Sequence, residues 1–413
     1  MTSNGANRQK LLLFTAALTL ALTARTADAS IGFKAENGWA VSFDGFVNAF
    51  GVNEMGSKAP ANVAADPLMT VDDHNAFRVR TGLLPGLFGF NVAAPKVDGL
   101  ELKARIGLYP QINNGNTRNA FGSQIDVREV FFTVDGSFGQ VLAGRALNLF
   151  QGKNILTDMT LFGVGVQAAA PVASGGTTLG RIGYGYLYTQ FGAQLRYTTP
   201  DLSGLKLALA VVDPSQIAGS GVAATDTKGP GVESELSYTT KLGDVGLQGW
   251  VSGLYQRASV PLGATVAAGE GKTAAGGAAG VGASVAGLDL LASGFLGRGL
   301  GSFLLLDTDS LDATGRERRS RGFLAQAAYT LGSTKVGLSY GQNNVDETSS
   351  EGAARLGGAP SVLASRKSMT GGVYHDLNKN LKVVAEYTHA MAGWFGGQSQ
   401  AADVLAVGGF FLW

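Results

Sequence analysis

The chain has 413 residues, of which 61 are Gly, 15% are charged and none is Cys. Ordinary soluble proteins hold about 7% Gly and about a quarter charged residues, so this composition is a poor fit to a helical or α/β enzyme. With 32 basic and 31 acidic residues there is no basic excess for nucleic acid, and the lack of Cys excludes disulfide scaffolds and thiolate-ligated metals while suiting export through an oxidising compartment.

The first element is a leader. Arg8 and Lys10 precede the apolar run Leu11 to Leu22, and Ala27-Asp28-Ala29 has the A-x-A form for cleavage before Ser30. That order is a secretory signal peptide over residues 1–29. A membrane-spanning helix needs about 20 apolar residues, and Arg25 cuts this run short. Residues 30–413 then read as a single domain.

From residue 39 the chain alternates with period two. Leu100, Leu102, Ala104, Ile106 and Leu108 share one face, and Glu101, Lys103 and Arg105 the other. Leu381, Val383, Ala385 and Tyr387 oppose Lys382, Val384, Glu386 and Thr388 in the same way. One apolar and one wetter face is strand patterning. Turn signals divide the chain into sixteen expected strands: 39–51, 76–92, 99–109, 123–134, 138–148, 183–199, 204–213, 230–241, 245–257, 278–286, 288–297, 319–331, 334–343, 366–377, 381–392 and 401–413. Short turns such as Asp135-Gly136-Ser137 and Leu242-Gly243-Asp244 alternate with long, polar or Gly-rich loops, for example 52–75, 149–182 and 298–318.

An even strand count with short periplasmic turns and long extracellular loops is the layout of an outer-membrane barrel. In lipid every backbone N–H and C=O must be bonded internally, so the antiparallel sheet closes on itself. The apolar face then meets lipid and the wetter face a lumen, which sixteen strands leave open to water. The last strand finishes on Phe410-Phe411-Leu412-Trp413, and Phe411 and Trp413 are the candidate assembly signal.

Five segments carry a family resemblance. They are Gly45-Phe46-Val47-Asn48-Ala49-Phe50, Asp126-Val127-Arg128-Glu129-Val130-Phe131-Phe132, Phe138-Gly139-Gln140-Val141-Leu142-Ala143-Gly144-Arg145, Asp376-Leu377-Asn378-Lys379-Asn380-Leu381 and the aromatic end. Together with the leader they resemble Gram-negative outer-membrane porins, in architecture over the mature chain and in motif over 123–150 and 366–413. The resemblance implies a homotrimer in the cell outer membrane, placed there by barrel-assembly machinery, with the third loop folded into the lumen. It implies passive diffusion of small hydrophilic solutes. The chain is similar to the trimeric porins that include anion-preferring, dicarboxylate-type channels, because its third loop lacks the acidic Pro-Glu-Phe-Gly-type stretch of cation-preferring ones.

The pore candidates are the arginines of the wetter faces. Arg78 and Arg80 oppose Phe77 and Val79, Arg105 lies with Glu101 and Lys103, Arg128 with Asp126, and Arg196 with Gln194. Arg145 shares its parity with Val141, Ala143 and Leu147, and only the resemblance turns it inward. A wall of guanidinium groups fits carboxylates and selects small anions. The other reading is that these arginines pair with Glu101, Asp126 and Asp44 and keep the lumen wet. The loop from Gln151 to Arg181 holds one acid, Asp158, among Ile155, Leu156, Met159, Leu161, Phe162, Val164 and Val166. Such an apolar segment is expected to pack inward as a constriction with Asp158 as its polar contact, or against neighbouring subunits.

No enzyme and no cofactor are expected. Gly269 to Thr273 resembles the end of a P-loop, but Val266 stands where that motif needs Gly. His74 follows Asp72 and Asp73, and Asp307, Asp309 and Asp312 leave casual Ca²⁺ binding open. A barrel without a channel, or a secreted β-rich binding or adhesion protein, is the alternative.

Overall fold

The computed structural model describes residues 30–114, 125–167, 176–307 and 309–413. The expected leader lies outside the described residues. Sixteen antiparallel barrel strands follow one another in chain order. They are β1 (Ala40–Gly56), β2 (His74–Arg80 and Leu87–Ala93), β3 (Glu101–Pro110), β4 (Ile125–Gly136), β5 (Gly139–Leu147), β6 (Phe191–Thr198), β7 (Leu205–Val212) and β8 (Gly231–Leu242). The second half is β9 (Val245–Ser259), β10 (Gly271–Val285), β11 (Leu288–Arg298), β12 (Arg319–Leu331), β13 (Thr334–Val345), β14 (Leu363–Asp376), β15 (Leu381–Trp394) and β16 (Ser399–Leu412).

Closure comes from pairing β1 with β16, in register from Phe46 opposite Leu412 to Gly56 opposite Ala402. Beyond β16 the Trp413 N–H donates to the Gly45 carbonyl at 3.0 Å, and the Gly45 N–H returns to the Trp413 carbonyl at 2.9 Å. Gly45 has to be glycine, since a Cβ would sit 2.3 Å from the Leu87 carbonyl oxygen and 2.7 Å from the Trp413 ring. Phe46 and Phe50 meet Phe410 edge-on across the seam, with ring centroids 5.7 and 5.8 Å apart. The short strand Ile31–Lys34 pairs with the start of β1 and occupies the line that β16 vacates.

The two faces invert the pattern of a soluble protein. Phe77, Val79, Leu195, Val251, Val281, Leu296, Val336 and Val407 are exposed, while Asp44, Asn48, Glu54, Glu233, Asn343, Thr370 and Glu386 are buried. An apolar exterior around a polar interior is what a lipid-embedded barrel requires. No helix among the described residues is long and apolar enough to cross a membrane; in this barrel it is the strands that span.

Four expected strands differ from those observed by more than three residues, and the first of them runs on to Gly56 rather than ending at 51. The second is broken at 81–86 rather than continuous over 76–92. Pro85 has no N–H for a ladder, and the Asn48 side chain substitutes, donating to the Leu84 and Pro85 carbonyls at 3.0 and 3.2 Å and accepting from the Gly82 N–H at 2.8 Å. The sixth begins at Phe191, not 183, because 183–190 belong to the preceding connection. The tenth begins at Gly271, not 278. Its Ala and Gly residues hide the alternation but serve packing: a Cβ at Gly280 would lie 2.1 Å from the Trp250 indole that fills its place.

Deleting Phe411 to Trp413 removes the pairs to Val47 and Gly45 and reopens the sheet edge. The full chain is expected to change mobility between unboiled and boiled samples on a denaturing gel. The truncated chain is expected to run the same way in both.

Candidate functional site

The connection from β5 to β6 is the longest in the barrel and holds a short helix, α1 (Gly152–Leu156), and a 3-10 turn at Met159–Phe162. Three buried carboxylates hold its backbone and side chains. Glu233 of β8 accepts from the Leu149 and Phe150 N–H groups at 2.8 and 2.9 Å and from the Asn148 amide at 3.0 Å. Glu386 of β15 accepts from Val164 N–H at 2.7 Å and Gly165 N–H at 2.8 Å. Glu54 of β1 accepts from the Gln167 amide at 2.6 Å. A carboxylate taken out of water is tolerated only when such donors replace its hydration.

Neutral groups complete the attachment. Met159 N–H donates to the Gln326 side chain of β12 at 3.0 Å, and Asn154 to Ser293 of β11 at 3.2 Å. Asn343 of β13 accepts from Gly185 N–H at 3.0 Å and donates to the Tyr186 carbonyl at 3.2 Å. The Leu83 N–H, freed by the break in β2, donates to the Gly163 carbonyl at 2.9 Å. Gly163 is required there, because a Cβ would lie 1.9 Å from a Glu386 carboxylate oxygen.

Asp158 is spent inside this connection. It caps the 3-10 turn by accepting from Thr160 N–H and Oγ1, both at 2.8 Å, and it accepts from the Tyr186 hydroxyl at 2.6 Å. Its second oxygen also takes the Arg181 N–H at 3.2 Å. Burial pushes its carboxyl above the usual range, against the pull of the Tyr186 and Thr160 donors and the Arg181 charge. Arg181 is itself fully buried and donates to Ser368 Oγ at 2.6 Å, Thr370 Oγ1 at 3.1 Å and the Ser368 carbonyl at 2.8 Å. Burial lowers its affinity for the proton. Asp158 therefore organises the loop's fold rather than standing out from it.

The arginines do not form one ladder. Arg105 lies between two acids, with Asp44 at 2.8 Å and Glu129 at 2.7 Å. Arg128 pairs with Asp126 at 2.8 Å and places its guanidinium 5.3 and 5.7 Å from the Tyr109 and Phe191 ring centroids. Arg196 is opposite the buried Leu142 and Ala210, within electrostatic reach of Glu235 and Glu233. Lys153 of α1 approaches Glu235 at 4.0 Å. Arg80 is buried, donates to the Gly176 carbonyl at 2.7 Å and feels Glu54 and Arg78. Arg145 stands apart: it is exposed and in register with Val130 and Ala193, whose faces are also exposed. Its own parity with Val141 is the sequence signal for that placement.

Sequence reasoning misses what these acids meet: alternation puts Glu386 on the wetter face without naming its partners, Glu54 falls in an expected loop, and Glu129 shares its parity with Val127 and Phe131 until an irregularity in the β3–β4 register beside it changes the pattern. Two of the acids of 307–312 are taken up internally. Asp309 lies 3.5 Å from Arg318, and Asp312 accepts from Thr348 at 2.7 Å and Ser350 at 2.6 Å. Among the described residues no group of three or more His, Asp or Glu is arranged to hold a metal ion.

Comparison with known proteins agrees with this architecture. A family model described as Gram-negative porin matches residues 15–392. No curated protein sequence matches. Among solved structures, the outer membrane channel DcaP of Acinetobacter baumannii is 16% identical, with 92% of this chain and 99% of that one covered and a TM-score of 0.68. An anion-selective porin from Comamonas acidovorans is 15% identical, covering 91% and 100%, with a TM-score of 0.58. OmpF of Salmonella typhi, in complex with daunomycin, is 18% identical, covering 93% and 100%, with a TM-score of 0.57.

Glu386→Ala is expected to leave the Val164 and Gly165 N–H groups and the Tyr374 hydroxyl without their acceptor. At about 1–3 kcal/mol per stranded buried donor, the loop loosens while the barrel persists. Limited proteolysis of the folded protein checks this: cleavage between Leu161 and Gly165 should accelerate at least about tenfold, and Glu386→Gln, which keeps one acceptor oxygen, should fall between.

Proposed function

The chain belongs to the Gram-negative porin family, and from that premise we propose that it forms a water-filled channel for passive diffusion of small hydrophilic solutes. In this reading the β5–β6 connection folds into the lumen and narrows it, the long loops face the medium and the short turns the periplasm. The observation that carries it is the attachment of that connection to a buried carboxylate on β8 and, across the ring from it, to buried carboxylates on β15 and β1, the two neighbours of β16. A segment bonded to β8 near its start and to β15 and β1 further on supports a path across the space between them.

The finer part of the reading is a weak preference for small anions, carboxylates among them. The anion selectivity of the similar Comamonas acidovorans porin favours it. The pairing of Arg105 with Asp44 and Glu129, and of Arg128 with Asp126, limits it. A guanidinium between two carboxylates offers little net field, and lumen salt screens the remainder. The bias is then on the order of 1 kcal/mol, a few-fold in permeability.

Assembly as a homotrimer belongs to the same proposal. The exposed face of β15, β16 and β1 carries Tyr387 and His389 on Asp403, at 2.6 and 2.8 Å, and Asn53 on Asn75 of β2 at 2.8 Å. Ionisable groups facing lipid are costly, and a second copy of the chain against this face would cover them. Insertion by the barrel-assembly machinery, reading Phe411 and Trp413, completes the reading.

Planar-bilayer recordings test the channel and its sign together. Discrete conductance steps are expected, and a reversal potential in a salt gradient that favours anions a few-fold. Asp44→Asn removes one of the two acids holding Arg105 and is expected to raise the anion preference. Absence of conductance would overturn the channel; a cation-selective wild type would overturn the preference alone.

A further inference from the structure

The outward face of β9 to β12 carries charge that the channel does not use. Arg257, Arg298, Arg319 and Arg321 are all exposed, at the ends of these strands that lead into the long loops. They continue the outward rows of Tyr255, Leu296 and Phe323, each of them exposed. Register places Arg298 directly opposite Arg319, Leu296 opposite Arg321, and Ala275 between Tyr255 and Arg298. Like charges directly opposite one another on one face of a sheet repel. Among the described residues only Arg321 of the four has a carboxylate partner, Asp346 at 2.6 Å.

A second observation lies on the same strands, nearer the middle of the wall. An apolar groove of about 810 Å³ runs over β8 to β13, floored by Ala292 and Ala325 and walled by Tyr238, Leu290, Leu338 and Tyr340. From Arg321 to Ala325 is four residues, about 13 Å along a strand, the scale of an acyl chain. Cationic forks above an apolar groove, on a surface that faces lipid, match one kind of occupant.

We propose that this face holds a phosphate-bearing lipid, its headgroup phosphate between Arg298, Arg319 and Arg257 and an acyl chain in the groove. Guanidinium forks bind phosphate oxygens in pairs, and the bound anion relieves the repulsion between Arg298 and Arg319. The inference rests on the reading above only in placing the long-loop ends at the outer leaflet; it does not require the lumen to conduct.

Native mass spectrometry of the full-length barrel in dodecyl maltoside tests it, with diphosphorylated lipid A, phosphatidylcholine and inorganic pyrophosphate as separate probes. Lipid A is expected to remain bound where phosphatidylcholine is stripped. Arg298→Ala with Arg319→Ala should weaken lipid A retention about tenfold or more. Ala325→Trp, which fills the groove, should weaken lipid A but leave any pyrophosphate binding unchanged. Bilayer conductance of the same variants reports whether the barrel is folded and open, so failure here is separate from failure of the channel reading. Equal retention of both lipids, or retention indifferent to the double substitution in a conducting barrel, overturns the proposal. Pyrophosphate bound as tightly as lipid A would also overturn it, leaving an anion site without a lipid.

Discussion

A sheet surrounded by hydrocarbon has no water to satisfy an unpaired amide, and the pairing of β1 with β16 meets that constraint here. The rest depends on it. Closure defines an inside, and only then can Asp44, Glu54, Glu233 and Glu386 sit buried on a surface strand that is apolar on its other face. The seam is tight because it must be: Gly45 gives its side-chain space to Trp413, and the Ile31–Lys34 strand satisfies the part of β1 that β16 is too short to reach.

Inside the ring, charge is used for attachment as much as for selection. Glu233 and Glu386 each bind two consecutive backbone N–H groups of one connection, a geometry that fixes both position and direction of the chain. The arginines are similarly engaged, Arg105 with two acids and Arg181 with hydroxyls and a carbonyl. The polar interior thus behaves as a bonded network in which these guanidinium groups already have partners.

The strands themselves are legible in the sequence where both faces carry distinctive residues. β7 and β12 match their expected limits to within a residue, because Leu205, Leu207 and Leu209 or Phe323 and Tyr329 mark one face unmistakably. β10 loses its first seven residues to the expected loop because Ala and Gly mark neither face. The break in β2 is invisible to alternation, since Asn48, thirty-odd residues away, supplies the bonds that make it stable. The site follows the same logic. Parity puts Arg105 and Asp44 on the wetter face, but whether they touch depends on register between strands whose residues lie 61 apart. Asp158 reads as the loop's polar contact until Tyr186, Thr160 and Arg181 fold back onto it.

The break in β2 also bears on the order in which the protein is built. The β5–β6 connection takes its partners from both extremes of the chain: Leu83 through the break, Glu54 at a separation of 113 residues, and Glu386 at 222. Contacts of such long range are formed late, because the intervening chain has to be gathered first. A growing sheet that holds only its first strands offers the connection half of its seat, and one without β1 and β2 lacks the other half. The connection can therefore settle only as the ring is completed, so that the seating of its longest loop is the last piece of structure the molecule acquires.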